Sequence, residues 1–95
     1  MSSPSICIPR IIFNVDHNHL KFTFESIFGI GTIDRIDIVP TRNTDYPFTR
    51  AFIHFTYWPD DHDSIYIRNR LINGNSIKIV HDYPRFWKCY ASRFT

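Results

Sequence analysis

The sequence predicts an α+β domain of order βαββαβ, in which a four-stranded antiparallel sheet carries both helices on one face. Three observations lead there. Four short β-branched or aromatic segments read as strands, with alternation clearest in the third. Two intervening segments carry apolar residues at helical spacing instead. Capping residues stand before each helical segment, and turn residues separate the elements.

The first strand is Ile6-Cys-Ile-Pro-Arg-Ile-Ile-Phe13, with Pro9 expected to end or bend it because it lacks a donor. Asp16 caps the first helix, in which Leu20, Phe24, Ile27 and Phe28 fall on one face, with Gly29 and Gly31 as the stop. Phe22 lies off that stripe. Thr32–Val39 is the second strand, with Ile36 and Ile38 to one face and Arg35 and Asp37 to the other. A polar loop over 40–49 holds Arg42, Asn43, Asp45 and Pro47. In the third strand, Arg50–Phe55, Ala51, Ile53 and Phe55 alternate with Arg50, Phe52 and His54. Asp60 or Asp61 caps the second helix, with Ser64, Ile67 and Leu71 inward. Asn73-Gly74 turns into a fourth strand, Ser76–His81, which Asp82-Tyr-Pro84 breaks. The domain is thus expected over 5–82, followed by an aromatic, basic tail over 83–95.

Composition narrows the setting. Ninety-five residues, 43% apolar and 17% aromatic, fit one small core and not a disordered chain. No apolar run approaches the ~18 residues that a membrane-spanning helix needs. No signal-peptide pattern is seen at Met1-Ser-Ser-Pro, so a cytoplasmic or nuclear setting is expected. The net charge of +2 rests on eight Arg against three Lys, and the Arg fork suits phosphate and base edges. Fifteen Ile against two Leu point to AT-rich coding, which bears on origin and not on function. Cys7 and Cys89 stand 82 positions apart without a CxxC pair, so neither a zinc site nor a disulfide framework is expected.

The segment Phe48-Thr-Arg-Ala-Phe-Ile-His-Phe55 resembles the octapeptide of the RNA recognition motif family in its last five positions. Its first three depart: Phe48, Thr49 and Arg50 stand for basic, Gly and aromatic. Ile6-Cys-Ile-Pro-Arg-Ile11 resembles the family hexapeptide in its aliphatic positions, with Cys7 in place of a stacking aromatic. Gly29, the Ile33…Ile36…Ile38 spacing and Asn73-Gly74 also match the family pattern. The resemblance covers residues 5–82 and implies a ferredoxin-like sandwich with an open sheet face. The chain also resembles short single-domain proteins of this type from large DNA viruses, which implies a viral protein acting in a host cell or virion.

The resemblance implies single-stranded RNA, or single-stranded DNA, lying across that face with bases stacked on aromatics. Parity puts Cys7, Arg50, Phe52 and His54 there, flanked by Arg35 and Asp37 on one side and Lys78 and Val80 on the other. Phe52 is the stacking ring, and Arg50 and Lys78 take phosphate or base edges. Arg42 contacts the strand from its loop. Arg50 pairing with Asp37, and His54 as a solvated strand residue, are the structural alternatives. In the tail, Phe86, Trp87 and Tyr90 supply further platforms, cover the sheet, or pack as extra core, while Arg85, Lys88 and Arg93 offer phosphate contacts.

Catalysis is not expected. The chain has three Gly and no phosphate-binding loop, and no Ser/His/Asp spacing suggests a triad. His17 and His19 stand two apart at a helix start and point away from each other, so no metal site is expected, and no cofactor. Asp60-Asp-His-Asp63 lacks EF-hand spacing. The leading expectation is a monomeric RNA-binding protein. The alternatives are a protein-interaction module of the same fold, whose degenerate octapeptide no longer serves RNA, and a homodimer or virion component.

Overall fold

A computed structural model describes residues 4–11, 15–41 and 48–92. Its elements are β1 (Ser5–Ile11), α1 (His17–Phe28), β2 (Ile33–Pro40), β3 (Thr49–Phe55), α2 (His62–Ile72), β4 (Ile77–Asp82) and β5 (Arg85–Ser92). The fold is α+β, with two helices and one antiparallel sheet. The sheet has five strands in the order β2-β3-β1-β5-β4, which corrects the expected four. The additional strand comes from the segment expected as a tail. Trp87, Cys89 and Ala91 alternate with Phe86, Lys88 and Tyr90, and this period of two lets the segment pair with β1 on one side and β4 on the other.

Local chemistry starts and stops the elements where the sequence suggested. The Asp16 carboxylate accepts the His19 N–H at 2.7 Å. Asp61, not Asp60, caps α2, accepting from the Ser64 N–H at 3.1 Å and the Ser64 hydroxyl at 2.8 Å. Those bonds hold the Asp61 carboxyl below its usual range. Gly29 ends α1 at φ 116°, a conformation that side chains disfavour, and its N–H returns to the Glu25 carbonyl at 2.8 Å. Pairing of β1 with β3 shifts register between Ile8 and Ile11, around the donorless Pro9. Positions 12–13 of the expected first strand lie outside the described residues.

The core lies between the sheet and the helices. Ile6, Ile8, Ala51, Ile53, Ile77, Ile79 and Cys89 project from the strands toward Leu20, Phe24, Phe28 and Leu71. Ile27, expected on the inner stripe of α1, is exposed, and Thr23 is buried in its stead, donating to the His19 carbonyl at 2.8 Å. Ile38 shares the helix-side parity of Ile36 but is 37% exposed, because β2 is an edge strand. Phe28, Phe55 and Trp58 form a second aromatic group, and the Trp58 indole N–H donates to the Pro4 carbonyl at 2.9 Å. Cys7 and Cys89 are free thiols on opposite faces of the sheet. Among the described residues no helix is long and apolar enough to cross a membrane.

Trp87 joins the two ends of the chain's core. It is 5% exposed, parallel to Phe24 at 6.4 Å between ring centroids, and stacked on His81 at 4.0 Å. Truncating so large a buried ring typically costs about 3–5 kcal/mol. Trp87→Ala is therefore expected to lower the urea midpoint by that free energy, and a loss below ~1 kcal/mol would show that β5 is not integral to the core.

His81 adds a pH dependence. Burial against Trp87 lowers its pKa below the usual 6.5, His19 and Arg85 push it the same way, and Asp82 opposes them. The unfolded chain takes up the proton first as pH falls below 6.5. Stability is thus complete above that value and declines as pH drops through the folded-state pKa. The melting temperature should fall between pH 7.5 and pH 5, and His81→Phe should remove part of that fall.

Candidate nucleic-acid interface

The face of the sheet away from the helices is built by strand parity. Asp37 pairs with Phe52, Phe52 with Cys7, and Cys7 with Tyr90, so these four side chains form one row across β2, β3, β1 and β5. On β5, Lys88 and Phe86 share the parity of Tyr90. Lys88 faces Lys78, and Phe86 faces Val80 on β4. Arg50 lies opposite Val39 at the other end of the face. Neighbouring strands are about 4.8 Å apart, so the Phe52 and Tyr90 backbones stand roughly 10 Å from each other with only the small Cys7 between them.

Aromatics and cations interleave on this surface. Tyr90 is 38% exposed and Phe86 47% exposed. The Lys78 ammonium sits 4.8 Å from the centroid of Phe86, and that of Lys88 sits 6.0 Å from the centroid of Tyr90. Each Lys thus rests near a ring face, with its charge available to solvent or an anion. Phe48, just before β3, lies under the Arg10 guanidinium at 5.0 Å and the Arg50 guanidinium at 6.0 Å. Cys7 is half-buried beneath this surface, and that burial raises its thiol pKa against the opposing influence of Arg50. Burial pushes Cys89, on the helix side, up to about 12, with Cys7 adding to the rise. Neither thiol is therefore poised as a nucleophile at neutral pH.

A polar tie crosses the face beside the aromatic row. His54 Nε2 is 2.9 Å from Asp37 Oδ2, and His54 Nδ1 is 2.9 Å from Ser5 Oγ. An ionised carboxylate only accepts, so in the neutral ring Nε2–H donates to Asp37 and the Ser5 hydroxyl donates to Nδ1. Arg35 Nε completes the tie, 3.3 Å from Asp37 Oδ1. Ser, His and Asp, too far apart in the chain to suggest a relay, are thus joined by strand pairing. Ser5 is only 7% exposed, and the tie fastens β1, β3 and β2 together.

The expected site residues divide accordingly. Phe52, Arg50, Cys7 and Lys78 share the open face. Arg35 is there too, paired with Asp37. His54 is there with both ring nitrogens engaged, and is not the solvated residue of the alternative reading. Asp37 pairs with Arg35 and His54, not with Arg50. Arg85 begins β5, at the end of the sheet. Trp87 is on the opposite side, in the core, because its neighbours Phe86 and Lys88 take the outward positions. Arg42 lies outside the described residues, as does Arg93. Ser5 and Arg10 were not singled out from the sequence, and only the register brings them to this surface. Among the described residues no group of three or more His, Cys, Asp or Glu is placed to hold a metal ion.

Compared with models of known protein families, with curated proteins and with solved structures, the chain matches none.

If the tie fastens the strands, losing the imidazole leaves the buried Ser5 hydroxyl without its side-chain partner and Asp37 with Arg35 alone. His54→Ala is expected to cost about 1–3 kcal/mol. A double-mutant cycle with Asp37→Asn should return a coupling of ~0.5–3 kcal/mol, and a coupling near zero would remove the tie as a source of stability.

Proposed function

We propose that this chain binds single-stranded RNA across the open face of its sheet. The observation that carries the reading is the row Phe52–Cys7–Tyr90, two rings separated by one small side chain, with Arg50, Lys78 and Lys88 around it. Bases offer flat π-faces to such rings, and each stacked base contributes about 1–3 kcal/mol. Phosphates between the bases meet Lys and Arg at the row's margins. Tyr90 supplies a second platform where Cys7 leaves the first strand without one. The likeness of 48–55 to the RNA recognition motif octapeptide supports the same reading. It is also compatible with a ferredoxin-like βαββαβ ground plan in which β5 serves as the last strand and β4 as an added edge.

A second reading, a protein-docking module of this fold, is favoured by the exposure of Ile65, Tyr66 and Ile72 on α2. Co-purification with one defined protein, surviving nuclease and high salt, would favour it over RNA.

The test is fluorescence anisotropy with short RNA pools. Phe52→Ala and Tyr90→Ala should each weaken binding by about 1–3 kcal/mol. With three cations engaged, the slope of log K on log salt should be about −2. Absence of binding at ~100 µM protein in low salt, or rings whose loss changes nothing, would refute the proposal.

A further inference from the structure

A cavity of about 270 Å³ opens at the end of the sheet where β1 finishes and β5 begins. Its lining residues include the stacked pair His81 and Trp87, together with Phe86, Arg10 and Arg85. Phe86 is a lining residue of this cavity, and its strand parity is that of the open face. Arg10, a lining residue, has its guanidinium 5.0 Å from the centroid of the Phe48 ring. Arg85 faces Asp82 across the β4–β5 turn, so one carboxylate stands against two guanidiniums there.

The volume is just below the range of pockets that enclose a drug-sized molecule, about 300–1,000 Å³, so the cavity suits one nucleotide and not a run of them. Beside the Asp82 carboxylate the two guanidiniums leave a net charge of about +1, and their donor forks suit an anion with more acceptor oxygens than a diester link. A phosphate monoester carries about −1.5 to −2 at neutral pH and three strong acceptor oxygens, which the Arg fork meets bidentately. We propose that this cavity takes the phosphorylated end of a nucleic-acid strand, with Arg10 as the principal phosphate contact and the strand's terminal base against Phe86. This rests on the reading of the open face as an RNA-binding surface.

The test uses the full chain and one RNA octamer pool prepared in three forms: 5′-phosphate, 3′-phosphate, and hydroxyl at both ends. One phosphorylated form should bind about tenfold tighter than the hydroxyl form, and which one it is identifies the strand end that the cavity receives. Arg10→Gln should erase that preference, bringing the favoured phosphorylated form to within about twofold of the hydroxyl form measured on the same variant. Phe52→Ala should weaken all three forms alike and keep the preference. Thermal melts of each variant show that it folds. Equal binding of the three forms by the unsubstituted protein, or a preference that survives Arg10→Gln, overturns this inference and leaves the open-face reading intact. Failure of every form to bind overturns both.

Discussion

The parity of β5 is the constraint on which the rest of the molecule depends. A strand inserted between two others has no freedom to slip by one residue, since a slip would exchange its two faces. Trp87 decides which face is which. Its indole lies parallel to Phe24 from α1 and stacks on His81 from β4, in a place no smaller or more polar neighbour would fill. With Trp87 and Cys89 inward, Phe86, Lys88 and Tyr90 must point outward. One buried ring therefore fixes two exposed rings and a lysine in place, and links the packing of the core to the composition of the open face.

That face contains two kinds of surface side by side. In the Ser5–His54–Asp37–Arg35 tie both imidazole nitrogens are engaged, so His54 has little left to offer a ligand. The outward rings of Phe52, Tyr90 and Phe86 are the opposite case: they are partly open to solvent, and ammonium groups rest against Phe86 and Tyr90. Exposed aromatics bury little area and contribute little to folding, and surface cation–ring contacts are worth only about 0.5–1 kcal/mol. Stability alone does not account for their concentration on one side of the sheet. Under the proposed reading they are kept for a strand of RNA that supplies the missing contact area.

Much of the fold was legible beforehand. Leu20, Phe24 and Phe28 announced the buried face of α1, and Ser64 and Leu71 that of α2. The alternation of Ala51 and Ile53 with Arg50 and Phe52 is as it was read. β5 was not read, because Pro84 and the abundance of basic and aromatic residues after it resembled a surface tail. The signal was nonetheless present in Trp87, Cys89 and Ala91 at every second position. Its outer partners, Lys88 and Tyr90, are compatible with a tail or a strand, and nothing local distinguishes the two.

By itself, the sequence determined the type and limits of most elements, since caps, turn residues and periodicity act over a few neighbouring residues. It also determined which side chains share a face within each strand. Only the tertiary structure decided which strands are neighbours, and hence that Ser5 meets His54, that Cys7 lies between Phe52 and Tyr90, and that Arg10 and Arg85 share a cavity. The physical reason is that strand neighbours are selected by how the whole core fills. That is a property of residues tens of positions apart, to which no local pattern has access.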